Sequence, residues 1–145
     1  MRARCLTNSV VDLPTPYLAP GGIYRIGAED DKRLSPGAEY VVYGLLFFPQ
    51  HEYLLVRTHN IEDITYYPLW LPMPLFEITD NRVSSSWRLC PDMSTSVMVA
   101  PSAFIHRSDF YDRLIGGYMD DYAAEQKEWL RIKAFIDAED RERRL

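Results

Sequence analysis

The segment His59-Asn60-Ile61-Glu62-Asp63 places an imidazole and two carboxylates close together, with Arg57 just ahead of them. Those residue types could cleave a phosphodiester by acid–base chemistry. The imidazole would move the proton, Asp63 would orient it, and Arg57 or Arg82 would hold the phosphate. A small hydrolase or nuclease using His59 and Asp63 is therefore one reading of the chain. A metal site needs three or more converging ligands, and His51, His59 and His106 fall into no such spacing. Cys5 and Cys90 sit in no nucleophile signature, and the serines at 84–86 and 94–96 lack the Gly-x-Ser-x-Gly elbow. The glycines of "PGG" and "IGG" are wrongly spaced for a phosphate loop. No catalytic residue, metal or cofactor is assigned on these patterns, and the leading expectation is a protein that is not an enzyme.

A second stretch, "PLFEITDNRVSSSW" (74–87), also carries chemical groups: Glu77, Asp80 and Arg82. Alternation along 75–79 puts Leu75, Glu77 and Thr79 on one face and Phe76 and Ile78 on the other, so Glu77 reads as an outward strand residue. Asp80-Asn81-Arg82 has turn chemistry, because Asp and Asn side chains bond the local backbone. Residues 84–90 then read as the returning strand of a hairpin, with Trp87 plugging an open barrel end.

The elements that must position these groups come in two blocks. Residues 1–100 are β-rich, with strands expected at 4–11, 23–26, 38–48, 53–58, 75–79, 84–90 and 94–100, separated by Pro and Gly corners. The segment 59–74 carries Pro68, Pro72 and Pro74, which resist a central strand. Residues 101–145 are helical. One helix is expected over 101–117, opened by Pro101-Ser102 and stopped by Gly116-Gly117. A longer one follows, with Tyr118, Tyr122, Trp129, Ile132 and Ile136 on one side. Asp137–Arg141, Glu139–Arg143 and Asp140–Arg144 are acid-before-base pairs four apart along it. Strands followed by helices indicate a single α+β domain over 1–145, with a strongly bent antiparallel sheet or SH3-like barrel followed by two C-terminal helices.

Charge narrows the partners. The net charge is −5, and residues 37–100 hold seven acids against three arginines, a balance of −4. Nucleic-acid binding needs a basic surface, so it is not expected. A cationic protein partner suits the acidic β region. The longest apolar run, 41–48, is too short to cross a bilayer, and the N-terminal segment lacks a signal-peptide core. Two isolated cysteines are expected as reduced thiols. Together these point to a cytoplasmic protein that does not engage a membrane.

The succession "LSPGAEYVVYGLLFF", "EYLLVRT" and "PLFEITDNRVSSSW" resembles small bacterial proteins of uncharacterised or toxin-immunity type with an SH3-like β core. It spans about residues 34–90. That resemblance implies an immunity protein that neutralises a cognate toxin by direct binding. The partner surface expected from the residues combines Glu62, Asp63, Tyr66, Tyr67 and Trp70 of the proline-held loop with Asp80 and Arg82. Tyr and Trp would anchor the complex and the acids would steer encounter. A structural subunit that buries its aromatics in a homo-oligomer is the remaining alternative.

Overall fold

The computed structural model describes residues 1–18, 24–25, 27–58, 67–90, 96–107, 109–116 and 123–145. Its strands are β1 (Arg2–Cys5), β2 (Glu39–Phe47), β3 (Glu52–Val56), β4 (Leu69–Pro72), β5 (Phe76–Asp80), β6 (Trp87–Cys90) and β7 (Val97–Pro101). Its helices are α1 (Ser102–His106), α2 (Phe110–Ile115) and α3 (Ala123–Glu142). The α+β order is as the sequence indicates.

The β-branched and aromatic run of β2 makes it the strand on which the sheet is assembled. Its first residues pair with β1, and the rest pairs with β3 on one edge and, over Leu45–Phe47, with β7 on the other. All ladders are antiparallel. They run β4-β3-β2-β1-β5, with β7 and then β6 branching from β2. Among the described residues this sheet is open, and no pairing closes it into a barrel. Pro72 is accommodated because β4 is an edge strand, where a missing N–H costs no ladder bond.

Two local features shape β2. Val42 lies opposite Val56 and Gly44 opposite Leu55, which leaves Tyr43 as the extra residue of a bulge. Gly44 lets two elements approach closely. A Cβ there would lie 3.1 Å from the Ala100 Cβ and 3.2 Å from the Trp70 ring.

The expected β5–β6 hairpin does not form, since β5 pairs with β1 and β6 pairs with β7. The turn chemistry is present but serves another contact. Asp80 accepts from the Arg82 backbone N–H at 3.0 Å, an i to i+2 bond that bends the chain. Beyond it, Arg143, just past the end of α3, donates to the carbonyls of Arg82 (3.0 Å) and Val83 (2.9 Å), and Glu139 of α3 accepts from Ser85. Residues 81–86 are thus a connector bound to the helix. Trp87 is buried, and it opens β6 against Pro101.

The helix expected over 101–117 is broken into α1 and α2. Arg107 adopts an extended backbone (φ −122, ψ 98) at the break. From there its side chain reaches Glu125 on α3. The two helices expected are therefore three among the described residues. β1 also starts earlier than the expected 4–11 strand; of the expected 23–26 strand only Tyr24 and Arg25 are described, and Tyr24 makes an isolated bridge to Leu18.

On α3 the buried positions are Glu125, Trp129, Ile132, Ile136 and Asp140. Trp129, 1% exposed, meets Tyr43 edge-on at 5.0 Å and Phe104 at 6.2 Å. This aromatic contact docks α3 on the bulge of β2 and on α1. Tyr118 and Tyr122 of the expected stripe lie outside the described residues.

Candidate functional site

The polar groups nearest the core are structural clamps made from one carboxylate and arginines. Asp31 takes both arms of Arg33 (2.8 and 2.6 Å) and the Tyr24 hydroxyl (2.6 Å). Burial alone would raise the Asp31 carboxyl, but the Arg33 and Tyr24 bonds outweigh it and hold it below the ordinary range. Burial and the neighbouring carboxylate both push the Tyr24 phenol up. Asp140 receives a bidentate bond from Arg2 (3.0 and 2.8 Å) and lies 3.4 Å from Arg144, which ties the end of α3 to β1. Glu125, 2% exposed, is shared by Arg107 and by Arg113 at 3.0 Å. Burial opposes its charge, yet its own backbone amide and the two guanidiniums keep the carboxyl below its usual range.

Of these acids the sequence reading singles out Asp140 alone, through its pairing with Arg144, which forms, and a signal for the burial of two of them is present. Glu125 and Asp140 continue the 129, 132, 136 face at helical spacing in both directions. A charged residue on the buried side of an amphipathic helix requires a partner, because an unpaired buried carboxylate is too costly.

Four of the residues expected to bind a partner are described, and they lie on different elements and connectors. Glu62, Asp63 and Tyr66 lie outside the described residues, as does His59. Tyr67 is half-buried against the core. Trp70 is half-buried in β4, with its ring 6.2 Å from that of Tyr111. Tyr111 in turn donates to the Pro68 carbonyl at 3.2 Å, and burial lifts its phenol to about 12. Asp80 and Arg82 stand at the end of β5, at the opposite limit of the ladder path from β4. They are paired with each other at 2.7 Å. Hydrogen bonds from the Arg82 guanidinium and backbone hold Asp80 far below the usual carboxylate range.

β5 is an open edge strand beside these two residues. Among the described residues it pairs with β1 alone, and Glu77, Ile78 and Thr79 are exposed on both of its faces, Ile78 by 37%. Together with Asp80, Asn81 and Arg82, the end of the strand lines a shallow hollow of about 620 Å³. The Asp80–Arg82 pair is preformed, so a partner strand would meet a fixed charge pattern rather than two free side chains.

Of the described groups with catalytic potential, Arg82 and His51 have other contacts. Arg82 is held by Asp80. His51 stacks on Phe48 at 4.6 Å and meets Tyr17 and Tyr53 edge-on, in the turn between β2 and β3. His106 is exposed in the last turn of α1. Among the described residues, no three His, Cys, Asp or Glu side chains are grouped to hold a metal ion. No helix among them is long and apolar enough to cross a membrane.

Compared with protein-family models, curated proteins and solved structures, the chain shows no significant match. The fold and surface define an α+β domain with an open antiparallel sheet, stapled by arginine–carboxylate clamps.

Proposed function

We propose that this chain is a non-enzymatic protein-binding module, and in its sharpest form an immunity protein that occupies a bacterial toxin in a stoichiometric complex. The observation that carries the reading is the β5 edge. An open strand offers unpaired main-chain groups to a partner strand, and its exposed side chains set which partner fits. Ile78 would supply an apolar anchor, while Asp80 and Arg82 would fix register. The acidic loop of Glu62 and Asp63 would add steering toward a cationic toxin domain. The SH3-like character of the core and a cytoplasmic location belong to the same proposal.

The test is co-expression with the product of the neighbouring gene. Protection of growth, together with a fixed-ratio complex on size exclusion, is the expected result. Ile78→Lys should weaken that complex by about tenfold or more, equivalent to ~1.4 kcal/mol. His59→Ala should leave protection unchanged. Hydrolysis of RNA by the purified chain, abolished by His59→Ala, would replace this reading with the nuclease one.

A further inference from the structure

A second surface lies along α3 and shares no lining residue with the β5 hollow. Two depressions, of about 380 and 260 Å³, both include Arg57, Lys133, Asp137 and Arg141, and so run together as one groove. Its wall is the exit of β3 at Arg57, and its apolar strip is Leu130 and Ala134 on the helix. Leu130 is 53% exposed there and so is accessible to a ligand.

The charges in this groove do not cancel. Asp137 accepts from the Tyr43 hydroxyl at 2.7 Å and is bound by Lys133. Asp140 is taken by Arg2 and Arg144, and Glu39 lies within 3.7 Å of Arg2, Arg4 and Arg144. Every acid of the groove is therefore engaged. Arg57 and Arg141 have no carboxylate or carbonyl partner among the described residues. Arg57 is half-buried, so its stem is held against the groove wall and its guanidinium has a fixed origin. Each guanidinium keeps a planar fork of donors that matches a carboxylate.

We propose that this groove binds an acidic peptide segment of another protein. Its carboxylates would pair with Arg57 and Arg141, and an aliphatic side chain between them would lie on Leu130 and Ala134. Length and the apolar strip favour a peptide over a free inorganic anion, which would gain nothing from Leu130. The chain's net charge of −5 repels acidic ligands in general, so only a segment that fits both arginines overcomes it.

The probe is a fluorescein-labelled peptide of glutamates flanking one leucine, titrated against the full chain and followed by anisotropy. Its glutamine counterpart is the control. Saturable binding of the glutamate peptide alone is expected, weakening as salt is raised. Arg57→Gln with Arg141→Gln should weaken it by about tenfold or more, ~1.4 kcal/mol. Arg131→Gln, an exposed α3 arginine outside the groove, should not. Should the double variant misfold, Arg141→Gln alone carries the comparison, because Arg141 is exposed. Absence of saturation, equal binding of the glutamine peptide, an equal loss in Arg131→Gln, or full competition by inorganic phosphate would each overturn the proposal. None of these outcomes depends on the β5 edge or on a toxin.

Discussion

Removing the two sides of the Glu125 clamp should have unequal effects. Arg107→Ala with Arg113→Ala leaves a carboxylate that is 2% exposed without its cations. Stranding one member of a buried ion pair costs about 3–5 kcal/mol. The guanidiniums are themselves 44% and 40% exposed, so part of their attraction is already screened, and about 2–4 kcal/mol is the expected loss. Glu125→Gln keeps the shape and one acceptor, and the released arginines can turn to water. Its cost should be about 1–2 kcal/mol. Urea melts at pH 7 read both, with midpoints shifting at constant slope. A second arm uses acid. In the native protein the Glu125 carboxyl lies below its ordinary 4.5, so its contribution is present above that value and lost as pH falls through the folded value. Without its arginines, burial would raise the same group, and its penalty would disappear as it protonates. The gap between the native protein and the double arginine variant should therefore shrink from pH 7 to pH 4. If Glu125→Gln is as damaging as the double variant at pH 7, or if the gap is the same at pH 4, Glu125 is not a buried charge held by these arginines.

Trp129→Ala should cost about 3–5 kcal/mol, because a fully buried indole wedged between Tyr43 and Phe104 leaves a cavity; an unchanged urea midpoint would contradict that packing. Gly44→Ala should lose about 1–3 kcal/mol through overpacking against Ala100 and Trp70, measured by the same melts. The whole chain should keep a steady urea midpoint from pH 7 to about pH 5 and weaken below about pH 4. Asp31 and Glu139, like Glu125, resist burial through hydrogen bonds that hold their carboxyls low, so the stability they confer is lost as those folded values are crossed. Stability that rises on acidification would refute this.

Local chemistry was legible in the sequence and long-range pairing was not. The apolar density of 38–48 identifies β2, and the 129, 132, 136 spacing identifies the docked face of α3. The Asp80-Asn81-Arg82 signal correctly marks a bend, yet a turn signal says nothing about which strand comes next in the sheet. That is decided by Arg143 and Glu139, some sixty and fifty residues away. The break at Arg107 was hidden for a similar reason. Helical propensity runs through 101–115, whereas Arg107 leaves it to meet Glu125 and the Phe110 ring, contacts that local propensity does not encode. The expected partner set mixed an irregular loop with a strand end because both carry charges and aromatics. Trp70 and Asp80 are separated by the whole ladder path, a relation that residue types cannot express.

The position of β2 at the junction of three ladders also has a kinetic meaning. Its pairing with β3 closes a turn of only a few residues, whereas β1 at the chain start must wait for β5 at residues 76–80, and β7 arrives later still. Loop closure favours the short contact first, so the β2–β3 hairpin is expected to be the earliest structured unit and the β1–β5 ladder a late one. Pulse-labelled hydrogen exchange during refolding should protect Leu45 and Leu54 before Ala3 and Ile78; the reverse order would exclude this route. In a domain assembled this way β1 can join β2 at residues 39–41 early, and its second edge stays open until residues 76–80 arrive.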